Sequence, residues 1–170
     1  MNRLIVRTVL VGVLTLYTAS ALDEQYDKRQ HSGEVIGRIE IPAIGIDFVI
    51  REGIAPSIID RGVAHWAGSV LPGQPKPGKM ILAGHRVVRK GKAPFNRLDE
   101  LKKGDEIVVS GKDKVRILYK VTDSPMVIHN NERWILNEDD ARDYRLTIFT
   151  CHPKGSNKKR LVVFATHSPY

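Results

Sequence analysis

From Gly33 onward the chain is written in short apolar runs separated by Gly, Pro and Asp turns. No other feature constrains the fold as tightly. Runs of about 4–8 residues bounded by turn formers read as strands. The sequence predicts strands near Val35–Ile41, Ile46–Arg51, Lys79–Gly84, Glu106–Ser110, Val115–Ser124, Arg145–Thr150 and Leu161–Thr166. Such a series is that of an all-β barrel or sandwich. Ser110-Gly111-Lys112-Asp113 has the composition of a hairpin turn. Pro56–Arg61 predicts a short helix ended by Gly62, and Asn96–Leu101 a helical turn closed by Gly104. Met126–Tyr144 is long, polar and mixed. It reads as a loop over a site, either bare or carrying a short helix from Asn137, an acceptable N-cap before Glu138-Asp139-Asp140.

The N-terminus has a different character. Leu4–Leu22 is apolar apart from Arg7, close to the roughly 20 residues that cross a bilayer. Positive charge before it and Asp23-Glu24 after it predict a cytoplasmic N-terminus and an extracytoplasmic domain. Ala19-Ser20-Ala21 also has the small-x-small pattern of a signal-peptide cleavage site. The uncleaved anchor is the favoured reading, because the stretch is long for a signal h-region. The organisation is then a membrane anchor or signal peptide over 1–22, a polar linker over 23–32 and one domain over 33–170. The formal charge is +8, with 27 basic and 19 acidic side chains. Arg3 and Arg7 lie before Asp23, so the rest carries an excess of six positive charges, spread over short clusters such as Arg86–Lys92 and Lys154–Arg160. Without a long basic tract or aromatics to stack bases, nucleic-acid binding is disfavoured. A basic domain beside anionic lipid or wall polymer fits the charge better.

The chain has one cysteine, Cys151, at the end of Arg145-Leu-Thr-Ile-Phe-Thr-Cys151. A lone cysteine cannot close an intramolecular disulfide, so it is spare or functional. A buried hydrophobe at a strand end is the plain alternative. His85 closes the run Met80-Ile-Leu-Ala-Gly and opens a loop. Arg160 opens the run Leu161–Ala165 nine residues after Cys151, and strand alternation groups Arg160, Val162 and Phe164 on one face. A solvated strand end would explain Arg160 equally well. If the last two runs pair antiparallel, however, thiol and guanidinium share one sheet edge. A nucleophile, a proton carrier and an oxyanion clamp would suit acyl transfer through a thioester. A metal site from His65, His85, Cys151 and His152 lacks CxxC or HxxxH spacing and is disfavoured.

Together these residues resemble the sortases, membrane-anchored cysteine transpeptidases. Thr147-Ile-Phe-Thr-Cys151 matches the family's TLxTC signature, Arg160-Leu-Val-Val its arginine strand and Ala83-Gly-His85-Arg86 its histidine motif. His65-Trp-Ala-Gly68, Leu71-Pro-Gly-Gln-Pro75 and Ala93–Leu101 look like the class E branch, with class D as second choice. The resemblance spans about Val35 to Ala165. It implies an eight-stranded sortase-type β-barrel with short helices, preceded by one N-terminal transmembrane helix. It also implies that Cys151 attacks the Thr–Gly carbonyl of an LPxTG- or LAxTG-type sorting signal. His85 would protonate the leaving amine, and Arg160 would hold the substrate backbone and oxyanion. Thr150, His65 and His152 are candidate substrate contacts. An amine of the cell wall or of a pilin would take up the acyl group from a surface protein. The chemistry needs no metal or organic cofactor, although some members use calcium for substrate binding. Two other readings stay open: an exported cysteine peptidase, which would use the same residues and pass the thioester to water, and a non-catalytic wall-binding β-domain.

Overall fold

A computed structural model describes residues 21–74, 76–136 and 143–167. The anchor or signal peptide expected over 1–22 falls almost wholly outside them, as does the helix expected from Asn137. Among the described residues no helix is long and apolar enough to cross a membrane. The segment read as a linker is a helix, α1, over residues 21–31.

Nine strands follow: β1 Val35–Ile41, β2 Ile46–Glu52, β3 Val63–His65, β4 Gly78–Ala83, β5 Glu106–Gly111, β6 Arg116–Val121, β7 Met126–His129, β8 Tyr144–His152 and β9 Lys159–His167. Their order in the sheet is β6-β5-β1-β2-β3-β4-β8-β9-β7, and β6 also pairs with β9. That last pairing, Lys120↔Thr166 and Val121↔Ala165, closes an eight-membered barrel. β7 pairs with the first half of β9, Met126↔Val162 to His129↔Lys159, and continues the line of β6. Closure removes free edges that would otherwise template association. The expected eight-stranded barrel is therefore present, with β7 as an addition.

The alternation of side chains decides what lies inside. β5 and β6 bury every second residue, among them Ile107, Val109, Ile117, Tyr119 and Val121. Ile36 and Ile39 of β1 both reach the core although they are three apart, because a bulge between Val35 and Gly37 resets the register. β4, β8 and β9 are covered on both faces. Met80, Leu82, Leu146, Ile148, Leu161, Val163 and Ala165 point into the barrel core. On the outer face Val162 joins a second cluster with Ile128 and Ile135, flanked by Phe149 and Phe164. Burial pushes the Tyr119 phenol up to about 12, with Tyr144 adding to it, so it sits in the core as a neutral group.

Two strands escaped the sequence reading. β3 has only three residues, too few for periodicity to register. β7 has a single buried residue, Ile128, so it looks polar in the sequence. The short helix α2, Pro56–Ile59, and a 3-10 turn at Leu98–Glu100 lie where the sequence expects them. A further 3-10 turn, Trp134–Leu136, lies within the long polar segment.

Candidate active site

β8 and β9 are antiparallel, and their register pairs Cys151 directly with Arg160. The same parity that sends Leu146, Ile148 and Leu161 inward turns Cys151 and Arg160 to the outer face. Arg160 donates from Nη1 to the backbone oxygens of Asn157, at 3.0 Å, and Lys159, at 3.1 Å. The same nitrogen stands 3.7 Å from Cys151 Sγ. Backbone oxygens of the β8–β9 turn thus hold the guanidinium beside the sulfur.

β4 runs parallel to β8, with Ala83 opposite Phe149. Its continuation, Gly84-His85, therefore arrives beside the end of β8. Two contacts fix that approach. Thr150 Oγ1 donates to the Gly84 carbonyl at 2.8 Å, and Phe95 N–H donates to the His85 carbonyl at 3.1 Å. Residue 84 must be glycine, because a Cβ there would lie 2.8 Å from the Phe95 ring. His85 is about one-third exposed, and its Nε2 meets Asp60 Oδ1 at 2.8 Å.

His85 and Cys151 line one cleft of about 520 Å³ with Arg86, Val87 and the turn Gly155–Lys158. A second cleft, about 260 Å³, opens beside Arg160 and is lined largely by apolar side chains, including Ile54, Ile59, Trp66, Ile135, Leu136 and Phe149. The thiol therefore lines one hollow and the guanidinium the other.

The other three candidates are placed differently. Thr150 is buried and pins β8 to Gly84 beneath the site. His65 is fully buried. Its Nδ1 faces Glu52 Oε2 at 3.1 Å, and its Nε2 faces Ser69 Oγ at 2.9 Å and the Val70 carbonyl at 3.0 Å. It stays out of both clefts, because alternation within β3 faces it inward. Burial alone would raise the Glu52 carboxyl, but His65 and then Arg29 of α1 outweigh it and hold Glu52 below its ordinary range. His152 follows Cys151 and is half-buried, with Nδ1 2.6 Å from Arg86 Nη1.

Sequence reasoning missed Asp60 and Arg86. Asp60 caps a four-residue helix 25 positions from His85, a separation that no local pattern reveals. Arg86 begins a basic cluster that looks solvated, yet it is only 4% exposed.

A thiol, an imidazole and a guanidinium gathered at one end of a closed β-barrel are the groups that cysteine-dependent acyl transfer calls for. Residues 39–168 match the sortase domain model, and the chain belongs to the sortase family, whose members are cysteine transpeptidases. It is 26% identical to sortase D of Bacillus subtilis over 86% of this chain and 72% of that protein. It is 28% identical to sortase SrtE1 of Streptomyces coelicolor over 78% of this chain, but spans only 40% of that protein. Among solved structures, sortase C-1 of Actinomyces oris superposes with a TM-score of 0.75 at 30% identity, over 87% of this chain and 83% of that one. Sortase C of Clostridium perfringens, solved with the C-terminal cell wall sorting motif, gives 0.72 at 33% identity, over 83% of this chain and 74% of that one.

Proposed function

We propose that this sortase cleaves an LPxTG- or LAxTG-type sorting signal between Thr and Gly and passes the acyl group to an amine of the cell wall or of a pilin. The observation that carries the reading is the register pair Cys151↔Arg160 with His85 in the same cleft. Cys151 attacks as thiolate, since the thiolate is the nucleophilic form. The new S–C bond makes a tetrahedral oxyanion, which the Arg160 fork stabilises. Collapse breaks the Thr–Gly C–N bond, and protonated His85 gives its proton to the leaving glycine amine. The thioester remains. An incoming amine then attacks it, returns one proton to His85 and releases Cys151 as thiolate. The sorting-motif complex of the Clostridium perfringens relative supports this choice of substrate class.

The class E-like assignment, with class D second, rests on the His65–Gly68, Leu71–Pro75 and Ala93–Leu101 segments and on relatives carrying both names. The catalytic domain works outside the membrane, held by the single N-terminal span, and needs neither metal nor organic cofactor. The experiment offers LPxTG and LAxTG peptides to the purified domain with and without an amine, in EDTA and in calcium. The account expects an amide product that requires the amine and equal rates under both metal conditions. Hydrolysis at the same rate whether or not amine is present would make the protein a peptidase. No cleavage of either peptide would favour the wall-binding reading.

A further inference from the structure

We propose that Arg86 is a positioning residue: it binds His152 and Asp99 at once and thereby fixes the end of β8, and Cys151 with it, relative to His85. Arg86 follows His85 in the chain, so its backbone moves with the imidazole's loop. Its Nη1 reaches His152 Nδ1 at 2.6 Å, and His152 follows Cys151. Its Nη2 reaches Asp99 Oδ2 at 2.9 Å, on the turn Leu98–Glu100. One planar guanidinium thus bridges three segments that are far apart in sequence. A fork of fixed donors suits this, whereas a flexible ammonium does not.

Stability alone is a poor explanation for this arrangement. Arg86 is 4% exposed, its partner Asp99 is 45% exposed, and Arg86 Nε is buried without a partner among the described residues. Taking a charge out of water costs several kcal/mol, and pairs of this kind often contribute nothing net to folding. An unsatisfied N–H adds to that cost. What the arrangement does supply is a fixed relation between two reacting groups, where a shift of about 1 Å can cost 10²-fold in rate.

The contact also assigns a tautomer. Arginine only donates, so Nδ1 of His152 must accept, and the ring proton sits on Nε2. With Nδ1 occupied by a guanidinium, His152 cannot donate a proton through that nitrogen. The inference deepens the transpeptidase reading and rests on it for its kinetic test, but the tautomer can be read without turnover.

The experiment compares wild type with Arg86→Lys, His152→Ala and the double variant, each checked for an unchanged melting temperature. It measures kcat and KM for thioester formation, and ¹⁵N chemical shifts of His152 in the wild-type protein and in Arg86→Lys. Each single variant should lower kcat about 10²-fold with KM within about twofold, since only ground-state-neutral positioning is lost. The double variant should be no worse than the singles, because both remove one connection. Wild-type His152 should show Nε2–H with an accepting Nδ1, and Arg86→Lys should lose that signature. A proton on Nδ1 of the wild type, or kcat losses that multiply in the double variant, overturns the proposal. An inactive wild type that still shows the expected tautomer and its loss would count against the transpeptidase reading and not against the contact.

Discussion

Two lysines, Lys158 and Lys159, precede Arg160 in the chain, and neither shares its position opposite Cys151. Its fork touches two backbone oxygens and approaches the sulfur with the same nitrogen. A lysine offers a single compact ammonium on a different stem, without the second nitrogen that the fork leaves free for a substrate oxyanion. Arg160→Lys is expected to lower kcat about 10²–10³-fold with an unchanged melting temperature. Lys158→Ala should cost little, as an exposed loop charge does. Matched rates for Arg160→Lys and wild type in a single-turnover assay would refute the oxyanion role. The sequence exposed Cys151, His85 and Arg160 because each ends or begins a strand-like run. It concealed Arg86 and Asp60, since burial and long-range pairing leave no local trace, and it offered Thr150 only as a candidate substrate contact.

At the scale of elements, parity explains both what the sequence showed and what it hid. Alternation within the last strand grouped Arg160, Val162 and Phe164, and that face is the outer one. The parallel contact of β4 with β8 had no such signal, because β4 is buried on both faces and its Met80–Ala83 reads as a continuous apolar run. Thr150 is the stitch between them. Its hydroxyl satisfies the Gly84 carbonyl at 2.8 Å in a buried setting. Thr150→Val keeps the shape and removes the donor, leaving that carbonyl unpaired. The expected cost is about 1–3 kcal/mol in denaturant unfolding, together with a lower kcat because Gly84 carries His85. A variant as stable and as fast as wild type would show that β4 is held at this end by other contacts.

At the scale of the whole molecule, a buried carboxylate helps tie the N-terminal helix to the barrel. Glu52 of β2 receives Arg29 of α1 on Oε1 and faces His65 of β3 with Oε2. Its carboxyl is held below the ordinary range against the opposing effect of burial. A lowered folded-state value means stability that is present above the unfolded value, near 4.5, and lost as pH falls through the folded one. Glu52→Gln should therefore be less stable than wild type at pH 7, by about 1–3 kcal/mol. The gap should shrink as the pH falls below that of an ordinary glutamate. A gap that is constant from pH 7 to pH 3 would mean that the charge of Glu52 contributes nothing. The central claim concerns the whole chain as an acyl carrier, and intact-mass spectrometry after mixing with an LPxTG or LAxTG peptide tests it most directly. The account predicts a single adduct with the mass of the fragment ending in Thr. It should map to Cys151, disappear when an amine is added and be absent from Cys151→Ala. An adduct that persists in Cys151→Ala, or cleavage of the peptide by wild type with no adduct even under rapid quench, would contradict it.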